Sequence, residues 1–216
     1  MEAGLKASGA SGAPEAVAVE TPEQARIAAD AIARGFQDNE IWVWLIPSNR
    51  ARARVQKRCY RRMVRRIFMP RQAAWMTDSG TGGALWFPPG TKKLSLREQL
   101  AQDLPFLPEG LPSITKTTRL NDLVKANWPT QPHWYLAFLA VEPDSQSRGH
   151  GSALIAPGLA RADRENAGVW LETQTADNIP FYRRFGFKTV KRVEVDPGVP
   201  LWMMWRPPAN PASAII

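Results

Sequence analysis

Apolar and polar positions fall into blocks along the chain, and the spacing inside each block predicts its element. Val17 to Glu20 predicts a short strand. Thr21-Pro22-Glu23 then starts a helix, with Thr21 as cap and Pro22 in the first turn. Ala25, Ile27, Ala28, Ala31 and Ile32 carry it to about Phe36. In NEIWVWLIPSN, Ile41, Val43 and Leu45 alternate with Trp42, Trp44 and Ile46, which predicts a strand or a buried apolar loop before Pro47. From Arg50 to Phe68, Val55, Cys59, Met63 and Ile67 recur every four residues, with Tyr60, Val64 and Phe68 beside them. That is one apolar stripe on a helix, with arginines on the remaining faces as a solvated basic surface.

AAWMTDSGTGGALWFPPGT predicts a hairpin turning at Asp78 to Gly82. Ser95 to Leu100 starts a helix that the prolines of PFLPEGLP break, and Leu120 to Ala126 is a further helix ending near Pro129. The rest reads as a long strand in PHWYLAFLAV, a helix in GSALIAPGLARADREN, a strand in GVWLETQ, a short helix in NIPFYRRFGF and a closing strand pair. The order is mixed α/β without repeats, so one domain is expected over residues 16–208. The small-residue N-terminus (1–15) and the last residues (209–216) are expected to be tails, the first disordered.

Composition narrows the function classes. Of 216 residues 44% are hydrophobic, enough for a substantial core. The single cysteine, Cys59, excludes an intramolecular disulfide framework, and two histidines, His133 and His150, argue against a His/Cys metal site. No apolar run approaches the roughly 20 residues of a membrane span, and the N-terminus lacks a signal-peptide pattern. A cytoplasmic setting is the expectation, with no membrane partner. The net charge of +8 suits an anionic ligand, a phosphorylated cofactor included.

One junction concentrates the chemistry. VEPDSQSRGHGSALI (Val141 to Ile155) passes from a strand through a polar turn and two glycines into a helix. A Walker loop is excluded, because no Gly-Lys-Ser/Thr occurs. A dinucleotide turn fits poorly, because Leu154 stands where a third small residue belongs and the turn is too long. A pyrophosphate cradle of the form Gln/Arg-x-x-Gly-x-Gly/Ala matches Gln146, Gly149 and Gly151. There, missing Cβ atoms let phosphate oxygens approach the backbone, and the first N–H groups of the helix face them. A bare turn is the alternative for the glycine pair taken alone.

HWYLAFLAVEPDSQSRGHGSALI followed by GVWLETQTADNIPFYRRFGF resembles the GNAT acetyltransferase superfamily. The entry PHW, Pro157 inside the helix, LET, NIPFY and the late Trp-x-Met-x-Arg strand are nearer still to puromycin N-acetyltransferase and its relatives. The likeness is strongest over Pro132 to Arg206. It implies an α/β (α+β) fold, with a mixed central sheet flanked by helices and a splayed strand pair forming an acetyl-CoA cleft. It implies acetyl-coenzyme A as donor and a small-molecule amine as acceptor, with the chain a monomer or homodimer. Leu139 and Val141 then lie along the pantetheine arm. Gln146, Ser147, Arg148, Gly149, His150, Gly151 and Ser152 would hold the pyrophosphate, and Asn178 would contact the cofactor beyond it. Ser147 departs from the glycine usual there, so its backbone must reach the required φ/ψ.

By the same resemblance Tyr182 is the general acid, and Glu172, at the end of the strand VWLE, is the candidate general base. Glu142 starts the turn toward the phosphates and is the weaker candidate. His133 is expected to be structural, and His150 a solvent-facing loop residue. Trp42, Trp44, Trp86 and Phe87 could line an apolar acceptor pocket, with core packing as the alternative. Two other functions remain as alternatives: a peptide or protein N-acetyltransferase, and a non-catalytic basic module binding a ligand or nucleic acid.

Overall fold

The computed structural model describes residues 13–91 and 94–210, so most of the expected tails 1–15 and 209–216 lies outside the described residues. Strand β1 (Ala16–Ala18) leads into α1 (Pro22–Gly35). A reciprocal cap starts this helix: Gln24 N–H donates to Thr21 Oγ1 at 3.2 Å, and Thr21 N–H donates to Gln24 Oε1 at 3.0 Å. NEIWVWLIPSN forms neither the strand nor the loop expected of it. It is a short helix, α2 (Glu40–Leu45), because Asn39 Oδ1 caps Ile41 N–H at 3.1 Å and Ile41, Trp42 and Leu45 fall on one buried helical face.

The arginine-rich segment is α3 (Asn49–Met63), which runs on through a wide turn (Val64–Phe68) and a tight one (Met69–Arg71). Every residue of its apolar stripe is buried. The hairpin is β2 (Ala74–Thr77) and β3 (Gly82–Phe87). Helix α4 (Leu96–Asp103) gives way to a 3₁₀ stretch (Leu104–Glu109), and α5 (Leu111–Ala126) starts well before the expected Leu120. Pro112 does not break it, since in the first turn its missing N–H has no helical acceptor to lose. Then come β4 (His133–Val141), α6 (His150–Arg164), β5 (Gly168–Thr173), α7 (Ile179–Arg183), β6 (Lys188–Asp196) and β7 (Val199–Arg206).

These strands form one seven-stranded sheet in the order β1-β2-β3-β4-β5-β7-β6. Only β4 and β5 pair in parallel, joined by the α6 crossover; the other pairs are antiparallel. Helices α1 and α3 cover one face, where Trp170, Met203 and Leu201 belong to the core. Helix α6 covers the other, with Trp86, Trp134, Val169 and Leu171. Its approach to β3 requires Gly158, since a Cβ there would lie 2.2 Å from the Trp86 ring. The chain is thus a single α/β domain.

Most cations of α3 do face solvent, among them Lys57, Arg58 and Arg62, as do Arg65 and Arg66 in the wide turn that follows. Arg52 does not. It is 4% exposed and donates to the carbonyls of Gln37 (2.6 Å), Ile46 (2.9 Å) and Pro47 (3.1 Å) and to Asn49 Oδ1 (3.0 Å). One guanidinium therefore satisfies the chain ends on both sides of α2. Arg52→Met keeps the stem but orphans these carbonyls, and should lower unfolding free energy by about 1–3 kcal/mol. Arg58→Gln on the same helix should stay within about 0.5 kcal/mol. Chemical denaturation of the two variants checks the contrast.

Candidate active site

The sheet comes apart in its middle. The β4–β5 ladder runs from His133↔Gly168 only to Leu136↔Leu171. Beyond it, β4 keeps β3 as far as Gly82↔Val141, and β5 keeps β7 as far as Thr173↔Trp202. The cause is visible in the register: Leu85 pairs with Phe138 but Trp86 with Leu136, so Ala137 is an extra residue on β4. A bulge bends its strand and raises the local twist, and here it sits at the residue where pairing with β5 ends. Ala137 to Val141 therefore present one backbone edge to an open cleft. Leu139 and Val141 direct their side chains to the α6 side.

At the open end of β4 the chain turns through Pro143–Ser145 and reaches α6. Ser147 has φ 61° and Gly149 φ 89°, so Ser147 does adopt the left-handed backbone that its position demands. Gly149 caps α6 without a side-chain hydrogen bond. The first N–H with a helical acceptor there is Ala153, bonded to Gly149 O at 3.0 Å, which leaves the amides of His150, Gly151 and Ser152 without intrahelical partners. The helix dipole adds about half a positive charge at the same place. The donor set suits a phosphate anion.

The side chains around this cradle divide. Gln146 is exposed and folds back on its own loop, its Nε2 donating to Val141 O at 3.1 Å, so it braces the loop. Arg148 is exposed at the rim. His150 is no solvent-facing loop residue: it is the first residue of α6, half-buried, and its Nδ1 is buried without a partner among the described residues. Asn178 lies across the cleft, where its Nδ2 donates to Thr173 Oγ1 at 3.2 Å and holds the β5–α7 turn. A Cβ at Gly151 would stand 3.4 Å from Phe181, so the cradle and α7 are direct neighbours.

Tyr182 projects from α7 into the α6-side core, where it packs beside Phe181 and Phe187. It is 7% exposed, and its hydroxyl makes no hydrogen bond among the described residues. Burial pushes its phenol well above the usual range, so it stays protonated through neutral pH. Glu172 occupies the opposite face. It is the first β5 residue past the last β4 pair and shares the face of Trp170, whose Nε1 donates to Glu172 Oε1. Tyr135, on β4, has its phenol pKa raised by burial, by the charge of Glu172 and by a hydrogen bond to it. Trp170 and Tyr135 had no place in the sequence argument. The period-2 spacing of Trp170 and Glu172 was the available signal; the Tyr135 contact crosses strands.

Other candidates separate from the site. Glu142 is held by Arg34 of α1. His133 is buried, with Nδ1 2.7 Å from Gln131 O and its ring edge-on to Trp205. Trp42, Trp86 and Phe87 are core residues: Trp42 stacks on Phe106 and donates to Tyr60 Oη at 2.9 Å. Trp44 is half-buried, with Nε1 3.0 Å from Asp196 Oδ2. A shallow cavity of about 320 Å³ opens instead on the Glu172 face, lined by Asn127, Gln131, Trp170, Lys191, Met203 and Trp205.

Residues 120–187 match the Acetyltransferase (GNAT) family. Over that segment, about a third of the chain, the sequence is similar to GNAT acetyltransferases. An uncharacterized N-acetyltransferase of Schizosaccharomyces pombe is 31% identical over 84 residues, a match spanning 38% of this chain and 34%, about a third, of that protein. Among solved structures, one described as histone acetyltransferase HPA2 and related acetyltransferase, from Corynebacterium glutamicum, superposes with a TM-score of 0.66 at 22% identity, covering 93% of this chain and 99% of the other. A Drosophila melanogaster polyamine N-acetyltransferase gives 0.59 at 12% identity, over 89% and 98%. These two similarities establish the GNAT fold.

Gly149→Val tests the cradle. A Cβ there would meet only Pro14, at 3.6 Å, but a β-branched residue at φ 89° is strained by about 1–3 kcal/mol. Coenzyme A affinity measured by calorimetry should fall at least about tenfold, the loss expected for about 1.4 kcal/mol. Circular dichroism should still show a folded protein. Unchanged affinity would remove the loop from the anion site.

Proposed function

We propose that this chain is an N-acetyltransferase that uses acetyl-coenzyme A and passes the acetyl group to the amine of a small, apolar molecule by direct attack in a ternary complex. One observation carries this reading: Tyr182 and Glu172 stand on opposite faces of a sheet that splits between them, with an anion cradle at the open end. The residues present fit the cofactor. The first-turn amides of α6 and Ser147 to Gly149 would hold its pyrophosphate, and its arm would lie along the open β4 edge at Leu139 and Val141, where the Val141 carbonyl is already taken by Gln146 Nε2. Asn178 would border it at the β5–α7 turn.

Bound acetyl-coenzyme A supplies an activated thioester carbonyl and a thiolate leaving group. The protein's own groups handle the protons. An amine attacks only as the free base, and the Glu172 carboxylate takes its proton, directly or through one water. Tyr182 offers an uncommitted O–H on the other face. A phenol of pKa about 10 protonating a thiolate of about 8.5 is uphill by roughly 2 kcal/mol, and burial raises the phenol further. Tyr182 therefore acts chiefly as a preorganised hydrogen-bond donor to the charge developing on sulfur.

The cavity beside Trp170 supports an apolar acceptor. Its walls are Trp170, Met203 and Trp205, and its charged lining residue is Lys191, whose Nζ donates to Asn127 Oδ1 at 2.5 Å. A polyamine entering there would meet a like charge.

Release of free thiol from acetyl-coenzyme A should be seen with one or more apolar monoamines in a panel that also holds polyamines and peptide N-termini. No turnover with any amine would leave only a binding module. Tyr182→Phe should lower kcat by about 10²-fold, the lower end for loss of such a donor. Its melting temperature should hardly move, because the hydroxyl leaves no partner unsatisfied. Full activity in that variant would place the donor elsewhere.

A further inference from the structure

Glu172 is not a bare carboxylate at the end of a strand. Trp170, two residues back on β5 and on the same face, donates its Nε1–H to Oε1. Tyr135 reaches the same carboxylate from β4. Both donors are themselves fixed. Trp170 is 4% exposed and sits in the core beside Met203. Tyr135 stacks on Phe87 at 6.1 Å between ring centroids and meets the edge of Trp128 at 5.7 Å. They come from the two strands whose pairing ends just beyond them, since Tyr135 and Trp170 are cross-strand partners one step before the last pair.

We propose that Trp170 and Tyr135 are positioning residues: they clamp the Glu172 carboxylate at the apex of the split and set the pH at which it can accept the amine proton. The inference rests on Glu172 being the base. Two donors use two of about four acceptor sites on a carboxylate, so Glu172 keeps capacity for an amine or a water. Both donors hydrogen-bond to the carboxylate and so favour its ionised form. A carboxylate left at the cleft without them would be more basic but less available, because more of it would be protonated as pH falls. Trp170 from its own strand and Tyr135 from β4 bond to Glu172, Met203 of β7 is its cross-strand neighbour, and Lys191 of β6 follows in register beyond Met203; of these Tyr135 and Lys191 are titratable.

The indole has a second contact surface. It lines the cavity that also holds Met203 and Trp205. The same side chain thus touches the carboxylate with its N–H and the acceptor cavity with its ring. Replacement by phenylalanine removes the first contact and keeps much of the second.

The test is the pH profile of kcat/KM for the best amine, measured on the full chain. Glu172→Gln is run first and should lose at least about 10²-fold, the range for a general base. Trp170→Phe and Tyr135→Phe should each move the acidic limb to higher pH by about one unit. Activity should be largely recovered on the alkaline side. Coenzyme A affinity should stay unchanged, and melting curves identify any variant that fails to fold. Trp170→Leu, which loses the ring as well, should add a rise in acceptor KM that Trp170→Phe lacks. If Glu172→Gln is inactive but neither phenylalanine variant moves the limb, the clamp is structural and this inference falls alone. If Glu172→Gln retains full activity, the base assignment fails and the clamp with it.

Discussion

The parallel pairing of β4 and β5 lasts four residue pairs and then stops, and the site is built around that stop. A sheet interior normally satisfies every backbone donor and acceptor. Here the extra residue Ala137 bends β4 away, and the edge from Ala137 to Val141 is left for a ligand. Such an edge favours an extended molecule that can hydrogen-bond as a strand would. In the proposed function the amides at the start of α6 would select one with phosphate at its far end.

The split also separates two chemistries. A continuous sheet would isolate its faces completely. With the strands apart, groups on either face can reach one bound reactant. Tyr182 comes from the α6 side, buried and with an uncommitted hydroxyl. Glu172 comes from the other side, held by two neutral donors. In the proposed reaction the Tyr182 hydroxyl therefore serves the departing sulfur from one face while Glu172 serves the attacking amine from the other. The rest of the domain keeps these faces in place. Gly35 lets the end of α1 lie directly on Ala140 and Val141, where an added Cβ would come within 2.9 Å, and Arg34 on the same turn holds Glu142.

Charge follows a different logic from the site. Much of the positive excess lies on α3, whose cations mostly point to water, while Arg52 is turned inward as a structural donor to three carbonyls. The cradle relies on backbone amides and a helix terminus, with Arg148 at the rim. Net charge thus pointed to an anionic ligand, although the described groups best placed for it are largely uncharged.

The elements with strong local signals were legible in the chain alone. Thr21-Pro22-Glu23 starts α1, the four-residue stripe makes α3, and the glycine pair after Val141 marks the turn into α6, because each depends on residues within a few positions of one another. NEIWVWL was not legible, since an apolar run of that length carries no decisive period and the cap from Asn39 chose the helix. The fold family followed from the motifs between Pro132 and Arg206. Tertiary structure alone decided where β4 and β5 part, that Tyr182 and Glu172 take opposite faces, that Arg52 is buried, and that Trp42, Trp86 and Phe87 belong to the core. It also brought Tyr135 to Glu172, 37 positions away in the numbering. Periodicity assigns a side chain to a face of its own element, but register and packing decide which element that face will meet.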